Sequence, residues 1–195
     1  MKGAKNMSKG FSGLFQRTLG TTYKNSHIKA ESYSQRGIKI PKLIKATLSR
    51  LKKKGDYIAG SLEELSMTNV SIMSKETGIE FARITIGETA YLIRGDESGT
   101  TIPKRLLSKM KKSSGTLDFH SHPHNNDCIP SNADRNVMVL LERITGQRTS
   151  TIVTPNGKQV TFGKAGIVEV STIPNRIDES YAKALLTLFG GAQND

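Results

Sequence analysis

The sequence predicts an α/β fold in which helices flank a mixed β-sheet, preceded by a basic N-terminal arm. Three observations carry this reading. Residues Asn132–Thr145 place Val137, Leu140, Leu141 and Ile144 at helical spacing, with Gly146 just past the end. Residues 117–122 alternate with a period of two, so Leu117, Phe119 and Ser121 should face one way and Asp118, His120 and His122 the other. Asn156-Gly157 then separates two β-prone runs, 150–154 and 159–162, as the turn of a hairpin. Helix and strand signals that alternate along one chain are the pattern of helices laid on a sheet.

Taken in order, residues 1–40 are rich in Gly, Ser, Thr and Lys with scattered aromatics, the composition of a poorly ordered arm. Residues 41–195 form the domain. Pro41 opens a helix whose apolar positions are Leu43, Ile44, Ala46, Leu48 and Leu51, and Lys52-Lys53-Lys54 and Gly55 supply last-turn cations and a stop. A loop leads to two strands of a hairpin, 80–87 and 90–94. A short helix over 103–112 has Pro103 in its first turn and Leu106, Leu107 and Met110 directed inward. The strand carrying the histidines follows, then the helix Asn132–Thr145 and the Asn156-Gly157 hairpin. A last helix over 178–189 has Tyr181, Ala184, Leu185 and Leu188 on one stripe, a packing surface. The chain shows no internal repeat and no glycine-rich phosphate loop.

Composition bounds the function classes. A chain of 195 residues can bury a sizeable core, and its 35% apolar content is modest for a globular protein. Residues 1–54 hold fourteen lysines and arginines against the single acid Glu31, whereas residues 55–195 hold fifteen against sixteen. The basic excess therefore lies in the first quarter. Such an arm attracts polyanions, nucleic acid or an anionic surface, without a legible base-reading motif. No apolar run approaches the roughly eighteen residues that cross a bilayer. The basic start is interrupted by Gly10, Gly13 and Gln16 and lacks the apolar stretch of a secretory signal. One cysteine, Cys128, forms no internal disulfide and suits a reducing compartment. A cytoplasmic protein is expected, with delivery as a secreted effector or phage component compatible with the same features.

The chemistry is concentrated between His120 and Asp134, which span three of the four histidines and the cysteine. His120 and His122, two apart on a strand, share a face. Pro130-Ser131 reads as a helix start, with Ser131 at the N-cap and Asp134 in the first turn. A strand end and a helix start can thus present two imidazole nitrogens and a carboxylate to one point, a three-ligand set for zinc with the fourth position open. Cys128 and His124 lie in the intervening loop. Each is either a further neighbour of the metal or an ordinary loop residue.

His120-Ser121-His122-Pro123 followed by Pro130-Ser131-Asn132-Ala133-Asp134 resembles the His-x-His-Pro…Ser-x-x-Asp signature of the JAMM, or MPN-plus, zinc metalloproteases. The likeness covers roughly residues 41–165. It implies a JAB/MPN-like, cytidine-deaminase-like sheet flanked by helices, Zn2+ as cofactor on His120, His122 and Asp134, and an upstream glutamate as catalytic base. Glu80, opening Phe81-Ala82-Arg83-Ile84-Thr85-Ile86-Gly87, fits that segment; Glu76 is the competing choice. Ser131 would steady the developing oxyanion. Eight residues separate His122 from Ser131 where the family pattern has seven, a one-residue insertion in the loop. Thr77-Gly78-Ile79-Glu80-Phe81-Ala82 and Ile93-Arg94-Gly95-Asp96 look like segments of the bacterial and phage toxin-associated branch. The implied activity is hydrolysis of a peptide or isopeptide bond in a protein or peptide substrate, ubiquitin-like or from the cell wall. The alternative is a binding module or phage structural accessory that keeps the fold without catalysis and engages a partner through its arm. A zinc deaminase is set aside because its His-x-Glu and Pro-Cys-x-x-Cys pattern is absent.

Overall fold

A mixed seven-stranded sheet forms the centre of the molecule in the computed structural model, which describes residues 32–125 and 127–173. The elements are α1 (Lys42–Arg50), β1 (Tyr57–Gly60), α2 (Met67–Thr77), β2 (Phe81–Ile86), β3 (Thr89–Arg94), α3 (Lys104–Lys112), β4 (Thr116–Ser121), α4 (Asn132–Thr145), β5 (Thr149–Val153), β6 (Lys158–Gly163) and β7 (Gly166–Thr172). Strand order is β1-β3-β2-β4-β5-β6-β7. β4 and β5 run parallel, and the remaining neighbours are antiparallel. A parallel pair needs a crossover, which α4 supplies, and α3 likewise carries the chain from β3 across β2 to β4. Among the described residues no helix is long and apolar enough to cross a membrane.

Alternation along the strands sends side chains into two cores. On one face Phe81, Leu92 and Phe119 pack with Ile44 and Leu51 from the α1 region and Val70, Ile72 and Met73 of α2. On the other, Ala82, Ile84, Ile93, Ile152 and Phe162 pack with Leu106, Leu107 and Met110 of α3 and Met138 and Leu141 of α4. The helices expected at 103–112 and Asn132–Thr145 therefore lie together on one face.

Several expectations need correction. The strict alternation over residues 117–122 fails at Asp118: Arg83 pairs with Phe119 and Ile84 with Leu117, so Asp118 is the extra residue of a bulge. Phe119 consequently joins the first core while Leu117 joins the second, the same side as His120, whose ring meets Phe162. Leu43 is exposed, and Thr47 takes an inward position on α1 instead. The loop expected before Glu80 contains β1 and α2. Val70 to Lys75 of α2 are all buried, so no polar stripe marks it as a helix, although Ser66 caps its start and Gly78, at φ 66°, ends it. β7 was also absent from the sequence reading. Its residues are largely exposed, including Ile167, Val168 and Val170. The helix expected over 178–189 lies outside the described residues.

The boundary between arm and domain also moves. Tyr33 is fully buried in the first core beside Ile40, with the Lys75 ammonium 4.4 Å from its ring centroid. Residues 32–40 thus belong to the domain rather than to an arm; residues 1–31 lie outside the described residues. Tyr33→Ala should destabilise the fold by about 3–5 kcal/mol, the cost of emptying a buried aromatic site. Chemical denaturation measures this, and a loss below about 1 kcal/mol would place Tyr33 outside the core.

Candidate metal centre

Sheet register brings the key side chains together. Ala82 of β2 pairs with His120 of β4, so continuing the antiparallel ladder by two residues sets Glu80 opposite His122, on the same face. Glu80 is held by its backbone: its N–H donates to the Asp96 carbonyl at 2.9 Å, and its carbonyl accepts from Gly95 N–H at 2.8 Å. A Cβ at position 95 would lie 2.4 Å from the Gly99 carbonyl oxygen, so this close approach requires glycine. One residue on, Phe81 N–H donates to Ser121 Oγ at 2.9 Å, tying the start of β2 to the end of β4.

The third element is α4. Ser131 Oγ accepts from Asp134 N–H at 3.1 Å, and Asp134 Oδ2 accepts from Ser131 N–H at 2.7 Å, a reciprocal capping box. That bond fixes the Asp134 carboxylate with Oδ1 turned toward the histidines. The His120 and His122 Nε2 atoms are 3.0 Å apart, His120 Nε2 is 3.3 Å from Asp134 Oδ1, and His122 Nε2 is 3.9 Å from Oδ2. Two ligand atoms at tetrahedral angles on zinc, each 2.0–2.1 Å from the ion, would be about 3.3 Å apart. The two imidazole nitrogens and the Asp134 carboxylate are close enough together to hold one metal ion.

Hydrogen bonding supports the same arrangement. His122 Nδ1 lies 2.8 Å from the Asp127 carbonyl, which can only accept, so Nδ1 carries the proton and Nε2 faces the centre. Asp134 Oδ1, His120 Nδ1 and both Glu80 carboxylate oxygens are buried without a hydrogen-bond partner. Asp134 Oδ1 and the Glu80 carboxylate oxygens are thus buried beside the two Nε2 atoms with nothing to bond, a place where an ion could be accommodated. His120, His122 and Asp134 form a buried group able to hold a metal ion.

Electrostatics divide the residues. Burial raises the Glu80 carboxyl well above the ordinary carboxylate range, partly opposed by His122. Burial lowers His120, against the pull of Asp134, so it is neutral at neutral pH. Burial also acts to lower His122, but its bond to Asp127 and the charges of Glu80 and Asp134 outweigh this and hold it at about 9. Burial acts to raise Asp134, and both histidines together with Ser131 more than reverse it. A metal needs the Nε2 lone pair that a protonated His122 lacks. Metal uptake at pH 7 should therefore release one proton from His122, and a second where Glu80 is also protonated, so that apparent affinity rises at least roughly tenfold per pH unit below about pH 9. Calorimetry in buffers of differing ionisation enthalpy reads the proton count; no release would show that His122 is already neutral at pH 7 and that its pKa is not raised.

The residues singled out in the sequence are thus sorted by position. Glu80, His120, His122, Ser131 and Asp134 come together. Glu76 does not join them, because the Ser34 hydroxyl and backbone N–H engage its carboxylate. Cys128 is buried and His124 half-buried, and neither belongs to the converging donors. The supporting roles of Asp127, Ser121 and the Gly95-Asp96 clamp were not foreseen, since a backbone carbonyl, a loop glycine or a hydroxyl that meets a distant backbone N–H leaves no local pattern to read. Compared with known proteins, the chain matches no family model, no curated protein and no solved structure.

Proposed function

We propose that this chain is a zinc-dependent peptidase or isopeptidase of JAMM type on a JAB/MPN-like fold, acting on a protein or peptide substrate. The observation that carries this reading is the Glu80 carboxyl, buried without a partner and set by sheet register beside the three converging donors. His120, His122 and Asp134 would hold the zinc, which would supply a Lewis acid that makes water a stronger acid near neutral pH. Glu80, outside the ligand set, would be ionised by the charge of a cation held beside it and is then positioned to take a proton from the attacking water and pass it to the leaving amine. A carboxyl whose pKa is raised by burial holds a proton well enough to deliver it. Ser131 Oγ, while accepting from Asp134 N–H, keeps its own hydroxyl proton to donate toward a developing oxyanion. Asp127 holds the His122 ring in the tautomer that leaves Nε2 available.

Complete burial of Glu80, His120, His122 and Asp134 is the one feature that favours the second reading, a non-catalytic binding module or accessory in which a metal only stabilises the fold. Metal analysis of the purified chain combined with cleavage assays on diubiquitin, ubiquitin-like fusions and peptidoglycan peptides separates the two. Cleavage abolished by a chelator and restored by zinc supports the enzyme. Bound metal without cleavage of any of these substrates favours the module.

A further inference from the structure

The exposed side of α3 carries a surface unrelated to the metal centre. Leu106, Leu107 and Met110 are buried against the sheet, and the exposed positions are Lys104, Arg105, Ser108, Lys109, Lys111 and Lys112. Five of these six are cations, and the helix contains no acid. Its first turn holds Lys104 and Arg105, where the helix dipole favours anions, and Pro103 offers no side-chain cap. A helix selected for stability alone would place Asp or Glu there. Among the described residues Arg105, Lys109, Lys111 and Lys112 form no ion pair.

An aromatic pair stands beside these charges. Tyr57 on the edge strand β1 and Tyr91 on β3 meet edge to face with centroids 6.3 Å apart, both half-buried, and the Lys109 ammonium lies 5.6 Å from the Tyr91 centroid. They are the tyrosines at the surface among the described residues, since Tyr33 is fully buried. Both rings pack in part against the second core and are only part-exposed; a row of cations next to such rings is an arrangement that can take a phosphodiester backbone and stack a base on the side left open. An acidic protein partner would call for a larger exposed apolar anchor at the centre of the contact than two half-buried tyrosines supply. The large exposed apolar residues, such as Leu43, Ile129, Val139 and Val168, all lie off α3, β1 and β3.

We propose that α3 and the Tyr57–Tyr91 pair form a binding surface for single-stranded nucleic acid, because an unpaired base is what can reach a ring face. α1 is an internal control: it sits on the opposite face of the sheet and carries Lys42, Lys45 and Arg50 without a surface tyrosine.

Fluorescence anisotropy of a labelled oligothymidylate against the full chain, across a salt series, tests this. The triple variant R105Q/K109Q/K112Q should flatten the log–log salt slope by about 2, at roughly 0.7 per lost phosphate contact. K42Q/K45Q/R50Q removes the same charge from α1 and should change the slope by less than half as much. Tyr91→Leu and Tyr57→Leu should each weaken binding about fivefold or more with the slope retained, as loss of a stacking platform predicts. All substituted cations are exposed, so thermal midpoints should hold. Equal slope changes in the two triple variants would overturn the surface, reducing it to net charge. So would equal affinity for polyglutamate or anionic vesicles, or unchanged binding in both tyrosine variants that remain folded.

Discussion

Glu80→Gln should leave zinc content unchanged and lower turnover by roughly 10²–10⁴-fold, the contribution of a positioned acid–base group. The substitution keeps side-chain volume and an oxygen acceptor while removing the titrating proton. Glu76→Gln should do much less, because its carboxylate is committed to Ser34. Ser131→Ala should fall between, through the lost oxyanion donor. A second readout follows from burial. A carboxyl whose folded-state pKa is raised loses stability as pH climbs above its unfolded value, since the unfolded chain ionises first. The metal-free Gln variant should therefore melt higher than the parent at pH 7, and the difference should vanish toward pH 4. Unchanged turnover in both Glu80→Gln and Glu76→Gln would sink the hydrolytic mechanism, whereas loss in Glu76→Gln alone would transfer the base.

Purified protein should hold about one zinc per chain, and His122→Ala or His120→Ala should reduce that occupancy sharply. Three protein ligands leave little redundancy. Asp134→Ala is a harsher change because it removes a ligand and half of the capping box, adding about 1 kcal/mol of helix-end destabilisation. Asp127→Ala tests the support around His122. It keeps the backbone carbonyl that accepts from Nδ1 but removes the carboxylate whose Oδ1 lies 3.6 Å away, and weaker zinc binding by up to about tenfold is expected. Elemental analysis with circular dichroism separates ligand loss from unfolding. A folded His122→Ala protein with full zinc stoichiometry would show that the ligand set is wrong.

Much of the site was legible because its residues obey local rules. Ser131 and Asp134 are a capping box in sequence before they are neighbours of a histidine, and α4 has the length and end glycine that its periodicity predicts. His120 and His122 needed only the strand that holds them. Glu80 was harder, since its place depends on how β2 registers against β4, a contact 40 residues away in the chain. The elements missed failed for physical reasons. α2 is buried on nearly every side, so helical periodicity is erased, and β1 is four residues long. β7 presents valines and an isoleucine to the surface at the sheet edge, where alternation cannot report an inside and an outside. The Asp118 bulge, invisible in a pattern of alternating residues, moved Leu117 to the other core.

The capping box bears on how the centre would behave if it were loaded with a metal and emptied again. Asp134 divides its labour, with Oδ2 fastening the start of α4 and Oδ1 left facing inward. The fastening does not depend on an ion. Nor does the anchoring of β4, which is stitched to β2 and β5 on either side. The donors would therefore keep their places with or without an ion, and binding one would cost little ordering of backbone. Small zinc-dependent folds, in which chelation is denaturation, behave in the opposite way. Were a divalent ion held by this group, its exchange for another would be a question of ion supply and ligand preference, decoupled from the survival of the protein.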